Sequence, residues 1–197
     1  MKIIKKIFFI FLIFNLFASP SSAKDPAEFI SEVTQSASDI LKENISVEEK
    51  AQKLIVIAES TVDIDGIGLY SLGKYRKTIT KQELDKYKIL FREYFLKSFS
   101  SRLSQYSDPK INVTSQNIVS DKYTIVSSIL VETSERPQIK IDWRVYTLEP
   151  NKPLIRDLII EGLSLARTQK EEFNSVIQSA DGNIKVLFKN LEDFNSK

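Results

Sequence analysis

The side chains that could perform chemistry in this 197-residue chain are carboxylates, hydroxyls and amines, because the sequence contains no histidine and no cysteine. The lack of histidine removes the usual general base and the commonest metal ligand. The lack of cysteine removes thiol nucleophiles, so Ser–His and Cys–His couples are both excluded. Any catalytic site would therefore have to be built from carboxylates, hydroxyls and amines.

Two groups of acidic residues could form such a site. Asp63 and Asp65 stand beside Gly66, as in the first part of a calcium-binding loop. The later positions at which an EF-hand needs oxygen ligands hold Ile67, Ser71 and Lys74, so the pattern fails.

In the second group, Asp157 and Glu161 could be the carboxylate pair of a glycosidase, and Asp142 and Asp157 could flank a site. Nothing beyond residue type supports this, and surface or capping roles are favoured. We predict no catalytic residue and no metal site, and a hydrolase is the weakest hypothesis.

The charge distribution also does not indicate a class of binding partner. The formal net charge is +2, and basic and acidic residues are interspersed along the sequence. A nucleic-acid-binding domain would normally carry a clustered basic excess, so we expect no nucleic-acid partner.

The first 23 residues have the pattern of a secretory signal peptide. Lys2, Lys5 and Lys6 precede an apolar stretch over residues 7–18, and small residues at Ser21 and Ala23 favour cleavage after residue 23. The alternative is an uncleaved membrane anchor. Cleavage lowers the formal charge from +2 to −1. We therefore expect a single domain over residues 24–197, located in the periplasm.

The remaining sequence predicts helices, then strands, then helices. Apolar spacing and two capping boxes, Ser46 with Glu49 and Thr80 with Glu83, predict helices over residues 26–43, from residue 46, and from residue 80 to about residue 105. Glycines between them favour short helices. Alternating runs separated by short turns predict antiparallel strands. These strands cover residues 111–119, 122–133, 138–148 and 153–162, and two helices follow at 165–179 and 183–194.

The strand pattern predicts one strongly apolar sheet face. Residues of one parity on the third strand are all large and apolar, and they are Ile139, Ile141, Trp143 and Val145. On the second strand the residues that share a parity are Tyr123, Ile125, Ile129 and Val131. The longest helix carries Phe91, Phe95 and Phe99 one turn apart. This apolar surplus favours a cavity for an apolar ligand.

Several segments resemble one known family. They are LG at 72–73, FREYF at 91–95, DW at 142–143, IRDLIIEGLSL at 155–165, KEEFNSVI at 170–177 and GNIKVLFKNL at 182–191. The chain is similar, over nearly all of its length after residue 23, to the MlaC, or toluene-tolerance, family of periplasmic ABC-transporter auxiliary proteins. It departs from the family at Gln169 and Lys170, before the penultimate helix, and at Arg76, where a second aromatic residue is common.

The resemblance implies an α+β fold. A curved antiparallel sheet of four to five strands is expected to be wrapped by N-terminal and C-terminal helices, with an apolar cavity between sheet and helices. It also implies a monomeric phospholipid carrier without a cofactor, which helps to maintain outer-membrane lipid asymmetry. The expected partners are a diacyl phospholipid, an outer-membrane lipoprotein complex, and an inner-membrane ABC transporter complex with a substrate-binding MCE-type subunit.

We expect the lipid to contact both layers of the fold. The expected lipid-binding residues are Leu72, Tyr75, Phe91, Phe95, Phe99, Ile129, Val131, Ile139, Ile141, Trp143, Val145 and Ile159. The strand residues would form the wall, the three phenylalanines would face it, and Leu72 and Tyr75 would lie near the mouth. The alternative function is a non-catalytic periplasmic binding or scaffold module with a filled core.

Overall fold

The computed structural model describes residues 24–134, 136–149 and 151–197. The expected signal peptide, residues 1–23, lies outside them. The helices are α1 (Pro26–Lys42), α2 (Val47–Thr61), α3 (Ile64–Ser71), a 3-10 turn (Gly73–Lys77), α4 (Lys81–Leu103), α5 (Leu165–Gln178) and α6 (Lys185–Asn195). The strands are β1 (Ile111–Ser120), β2 (Tyr123–Leu130), β3 (Ile139–Tyr146), β4 (Leu154–Ile160) and β5 (Leu163–Ser164).

Local capping sets where the N-terminal helices begin. The Asp25 side chain accepts hydrogen bonds from two backbone N–H groups of the first turn of α1, where such donors have no partner within the helix. Both predicted capping boxes are present, at the starts of α2 and α4. Because these signals lie within a few residues of each helix start, sequence pattern alone located them.

The strands form one antiparallel sheet of five strands, as predicted, and their order is β1-β2-β3-β4-β5. Glu161 and Gly162 form the turn between β4 and β5 and have φ of 49° and 83°. A left-handed conformation at two successive residues suits glycine, so this step makes a tight hairpin that delivers the chain to α5.

The apolar interior consists of two clusters. The sheet cluster joins α1 to one face of β2, β3 and β4, and its buried members are Phe29, Ile30, Val126, Leu130, Ile141, Trp143, Val145 and Ile155. The helical cluster joins α3, α4, α5 and α6, and its buried members include Tyr87, Phe91, Phe173, Ile177 and Phe188. Val62, which follows α2, packs against both clusters.

None of the helices within the described residues is both long and apolar enough to cross a membrane.

Candidate functional site

The buried face of the sheet is built around Trp143. Ile141, Trp143 and Val145 alternate along β3 with half-buried residues and lie against Phe29 and Ile30 of α1. The indole N–H of Trp143 donates to Ser128 Oγ at 2.8 Å. This side of β3 is the predicted apolar wall, with Ile139 partly buried at its end.

The second strand presents the opposite parity from the one expected. Its buried residues are Thr124, Val126, Ser128 and Leu130. Ile129 pairs with Lys140, so its side chain lies on the face opposite Trp143, because directly paired residues share a face. Val131 lies just past β2 and belongs to neither cluster. The expectation that Ile129 and Val131 share a wall with Trp143 is therefore wrong.

A bulge also turns Ile159 away from that wall. Val145 pairs with Ile155, but Arg144 pairs with Asp157, which leaves Arg156 as an extra residue in β4. A bulge of one residue reverses the side-chain alternation beyond it. Ile159 consequently pairs with Asp142 on the opposite face.

The aromatic stripe of α4 packs mainly against other helices. Phe91 lies edge-on to Phe173 of α5, with ring centroids 6.1 Å apart, and belongs to the helical cluster. Phe95 is half-buried against the same cluster and stacks on Phe99, at 5.9 Å and an interplanar angle of 9°. The expectation that Phe91 faces the sheet is wrong, because α5 and α6 bring apolar faces of their own.

The two residues expected at a cavity mouth lie in the helical layer. Leu72 is fully buried in the helical cluster, and Tyr75 is partly buried against it. Nearby, Tyr87 donates from its hydroxyl to the Gly68 carbonyl at 3.0 Å. Burial raises the pKa of Tyr87, so this hydroxyl remains protonated and joins α4 to α3.

Two concavities of the described residues lie on the outer surface. One runs along α2 between Ile45 and Lys53. The other separates α1 from the start of β1 and is lined by polar residues such as Thr34, Gln35 and Asn112. Neither lies between the sheet and α4. In this conformation the predicted wall is covered by packed side chains.

The acidic residues considered for catalysis occupy structural positions. Asp157 is buried and accepts hydrogen bonds from Ser164 Oγ at 2.6 Å and from the Ala166 N–H at 3.0 Å, at the start of α5. Asp142 accepts from Ser127 Oγ at 2.6 Å. Within the described residues no group of three or more acidic side chains could hold a metal ion.

The helices and the sheet are joined along β4. The guanidinium of Arg156 forms an ion pair with Asp63, the N-cap residue of α3. It also donates to Tyr123 Oη at 2.8 Å and stacks on Tyr146 at 3.7 Å. Despite partial burial, these partners raise the pKa of Arg156. Next to Asp63, Val62 forms a parallel bridge with Ile155.

Sequence reasoning overlooked two of these joining residues, Arg156 and Val62, and it also overlooked Ser128. Arg156 follows Ile155 in an alternating strand, where a charged residue signals an outward position and gives no sign of a bulge. Val62 stands beside a helix end, and Ser128 interrupts an aliphatic strand. Each of the three acts through a partner that is distant in sequence, so no local pattern identifies it.

This chain is similar to known proteins in both sequence and architecture. The MlaC protein family matches residues 31–193. No curated protein sequence matches the chain. Among solved structures, the fold is similar to that of the phospholipid-binding protein from Ralstonia solanacearum in complex with a phospholipid, with a TM-score of 0.73 and 18% identity. The match covers 88% of this chain and 98% of that one, so the α+β fold is common to both over most of their length.

Proposed function

Because this chain belongs to the MlaC protein family, we propose that it is a periplasmic phospholipid carrier. It binds the acyl chains of a diacyl phospholipid and moves the lipid between an outer-membrane lipoprotein complex and an inner-membrane ABC transporter complex. This transfer maintains outer-membrane lipid asymmetry. Family membership over residues 31–193 carries the proposal, and the similarity to a fold that holds a phospholipid supports it.

The physical need for such a carrier follows from the cost of exposing acyl chains to water. Two chains contain roughly 30 methylenes, and exposing each to water costs about 0.8 kcal/mol, or on the order of 24 kcal/mol in total. A protein that replaces water with apolar walls removes most of this cost. It requires a pocket and a means of opening it, and it requires no catalytic group.

We place the acyl chains at the seam between the sheet cluster and the helical cluster. The long helix α4 packs on α2, α3 and α6, and the contacts that join the two clusters concentrate on β4. Because α1 covers this face of β3, opening the seam requires α1 to move off the sheet, which would expose Ile139, Ile141, Trp143 and Val145 on one side. The other side would present Phe95 and Phe99, with Leu72, Tyr75 and Phe91 behind them.

The same seam explains how a filled interior can accept a guest. Opening the seam leaves the helical cluster internally packed, and it removes the contacts of the sheet face with Phe29 and Ile30 of α1. Acyl chains entering the seam would restore the apolar contacts that separation removes. The headgroup can remain in solvent, which predicts weak discrimination among headgroups.

A direct test is to purify the protein without detergent after export from a bacterial host and to measure its mass under native conditions. A carrier should retain phospholipid, which solvent extraction then identifies by its acyl chains. Repeated recovery of lipid-free protein that also fails to take up phospholipid from vesicles would contradict the proposal.

The second candidate function is a binding or scaffold module that acts through its surface. The burial of apolar side chains in both clusters favours it, because Leu72, Val126, Val145 and Ile177 are fully buried. The experiment above separates the two, since a scaffold with a permanently filled core takes up no lipid.

A further inference from the structure

Cations and tyrosines form a distinct surface on the helical layer. The 3-10 turn presents Lys74, Arg76 and Lys77, all exposed, and α5 presents Arg167 and Lys170 three residues apart on one side. The two elements touch, because a side chain on Gly73 would meet Lys170 and Asn174. We call this the basic–aromatic surface, and its members are Tyr70, Lys74, Tyr75, Arg76, Lys77, Arg167 and Lys170.

Among the described residues, the charges of this surface form no salt bridge with an acidic side chain. Across the part of the chain that the structure describes, the salt bridges involve other lysines and arginines, and none includes the five cations of the basic–aromatic surface. Two of the cations lie over aromatic rings instead. Lys170 Nζ is 5.2 Å from the centre of the Tyr70 ring, and Lys74 Nζ is 5.2 Å from that of Tyr75.

The basic–aromatic surface contrasts with the charge of the molecule as a whole. Without Lys2, Lys5 and Lys6 the formal charge falls from +2 to −1, so the chain has no general attraction for anions. The 3-10 turn and the side of α5 that it touches carry five positive charges between them, and these would select which side of the molecule meets an anionic partner.

We propose that the basic–aromatic surface docks the protein on a bilayer that contains anionic phospholipid. The cations project from a turn and from one side of a helix, as separate point charges suited to a field of mobile phosphates. Tyr70 is 39% exposed, and tyrosine is favoured at the boundary between headgroups and acyl chains. Docking uses the exposed cations and Tyr70, so it does not rest on the carrier function, and lipid-free protein should dock equally well.

The test is co-sedimentation with vesicles of phosphatidylcholine and phosphatidylglycerol, with pure phosphatidylcholine vesicles alongside. The test variant is Lys74→Ala/Arg76→Ala/Lys77→Ala. The matched control is Lys110→Ala/Lys122→Ala/Lys152→Ala, which removes the same charge from exposed positions that also take part in no salt bridge of the described residues. Each basic residue near an anionic bilayer changes affinity about fivefold, so the test variant should bind about 100-fold more weakly.

The wild type and the control variant should bind anionic vesicles, and the test variant should lose this binding. Added salt should weaken the binding of the wild type. Equal loss in both variants would assign the effect to net charge and overturn the proposal. Equal binding to pure phosphatidylcholine would also overturn it. The proposal would also be overturned if the wild type does not bind anionic vesicles but binds a polyglutamate column through these cations. The partner would then be an acidic protein.

Discussion

Trp143 and Ser128 lie on neighbouring strands, and the indole N–H of Trp143 donates to Ser128 Oγ at 2.8 Å. Ser128 is fully buried, and its hydroxyl in turn donates to the Ile141 carbonyl at 3.1 Å. Both polar groups are thereby satisfied on a largely apolar face. The pair explains how a serine and a tryptophan can occupy the centre of the sheet cluster.

Replacing Ser128 with alanine should destabilise the protein by about 1–3 kcal/mol, because the indole N–H is left buried without an acceptor. Urea unfolding measures the change. In a Trp143→Phe background the donor is absent, so the same replacement should cost clearly less. An equal cost in both backgrounds would mean that the hydrogen bond contributes nothing.

The same pair shows which feature of β2 the sequence pattern could not predict, namely its buried face. Strand β2 carries aliphatic residues on both faces, with Ile125 and Ile129 on one and Val126 and Leu130 on the other. Counting hydrophobic residues predicted the wrong face as the buried one. A polar residue such as Ser128 suggests an exposed face until its hydrogen-bond partner on β3 is known. The strand itself, its antiparallel pairing and its turn to β3 were all predicted.

Element positions were predictable because their signals are local, whereas layer contacts were not. The capping boxes fixed the starts of α2 and α4. The partner of Phe91 is Phe173, on a helix that follows the whole sheet in sequence. A stripe of phenylalanines indicates that a helix is covered, and it cannot indicate by which element.

The two faces of the sheet should differ in lipid binding. Ile139→Asp places a charge on the proposed lipid-binding face and should lower bound phospholipid roughly tenfold or more, because a carboxylate resists burial. Phe99→Asp should have the same effect from α4. The matched control is Ile129→Asp, on the opposite face of the sheet, which should keep its lipid. Phosphorus analysis of folded protein measures the ratio.

If Ile129→Asp loses lipid and Ile139→Asp retains it, the acyl chains lie on the other face. Circular dichroism and thermal unfolding of each variant establish that a loss does not follow from misfolding.

The capping boxes predict a dependence of stability on pH. Hydrogen bonds from the backbone and hydroxyl of Ser46 lower the pKa of Glu49, and those of Thr80 lower the pKa of Glu83. A carboxyl with a lower pKa in the folded state stabilises the protein above its unfolded pKa. This contribution is lost as the pH falls through the folded pKa.

Thermal unfolding between about pH 6 and pH 3, the range that spans carboxyl titration, checks this expectation. The Glu49→Gln/Glu83→Gln variant should lose less stability on acidification than the wild type, because the glutamine side chains in its two capping boxes cannot be protonated. Glu48→Gln/Glu171→Gln removes the same charge from exposed positions outside the two capping boxes, and it should follow the wild type. Parallel curves for all three proteins would contradict a role for the caps in acid sensitivity.

The ion pair between Asp63 and Arg156 should control how fast lipid enters and leaves. It joins α3 to the bulge in β4, and the two side chains are 16% and 29% exposed, respectively. If acyl chains enter as the layers separate, Asp63→Asn should lower the barrier. The pair is partly screened by water, so a change of about 1 kcal/mol is expected, which corresponds to roughly fivefold faster exchange. Transfer of a fluorescent phospholipid from donor vesicles measures the rate.

The control is Arg92→Gln, which breaks an exposed ion pair with Glu59 between α4 and α2 and leaves the joint on β4 intact. Faster exchange in the control, or unchanged exchange in Asp63→Asn, would place the opening elsewhere than β4.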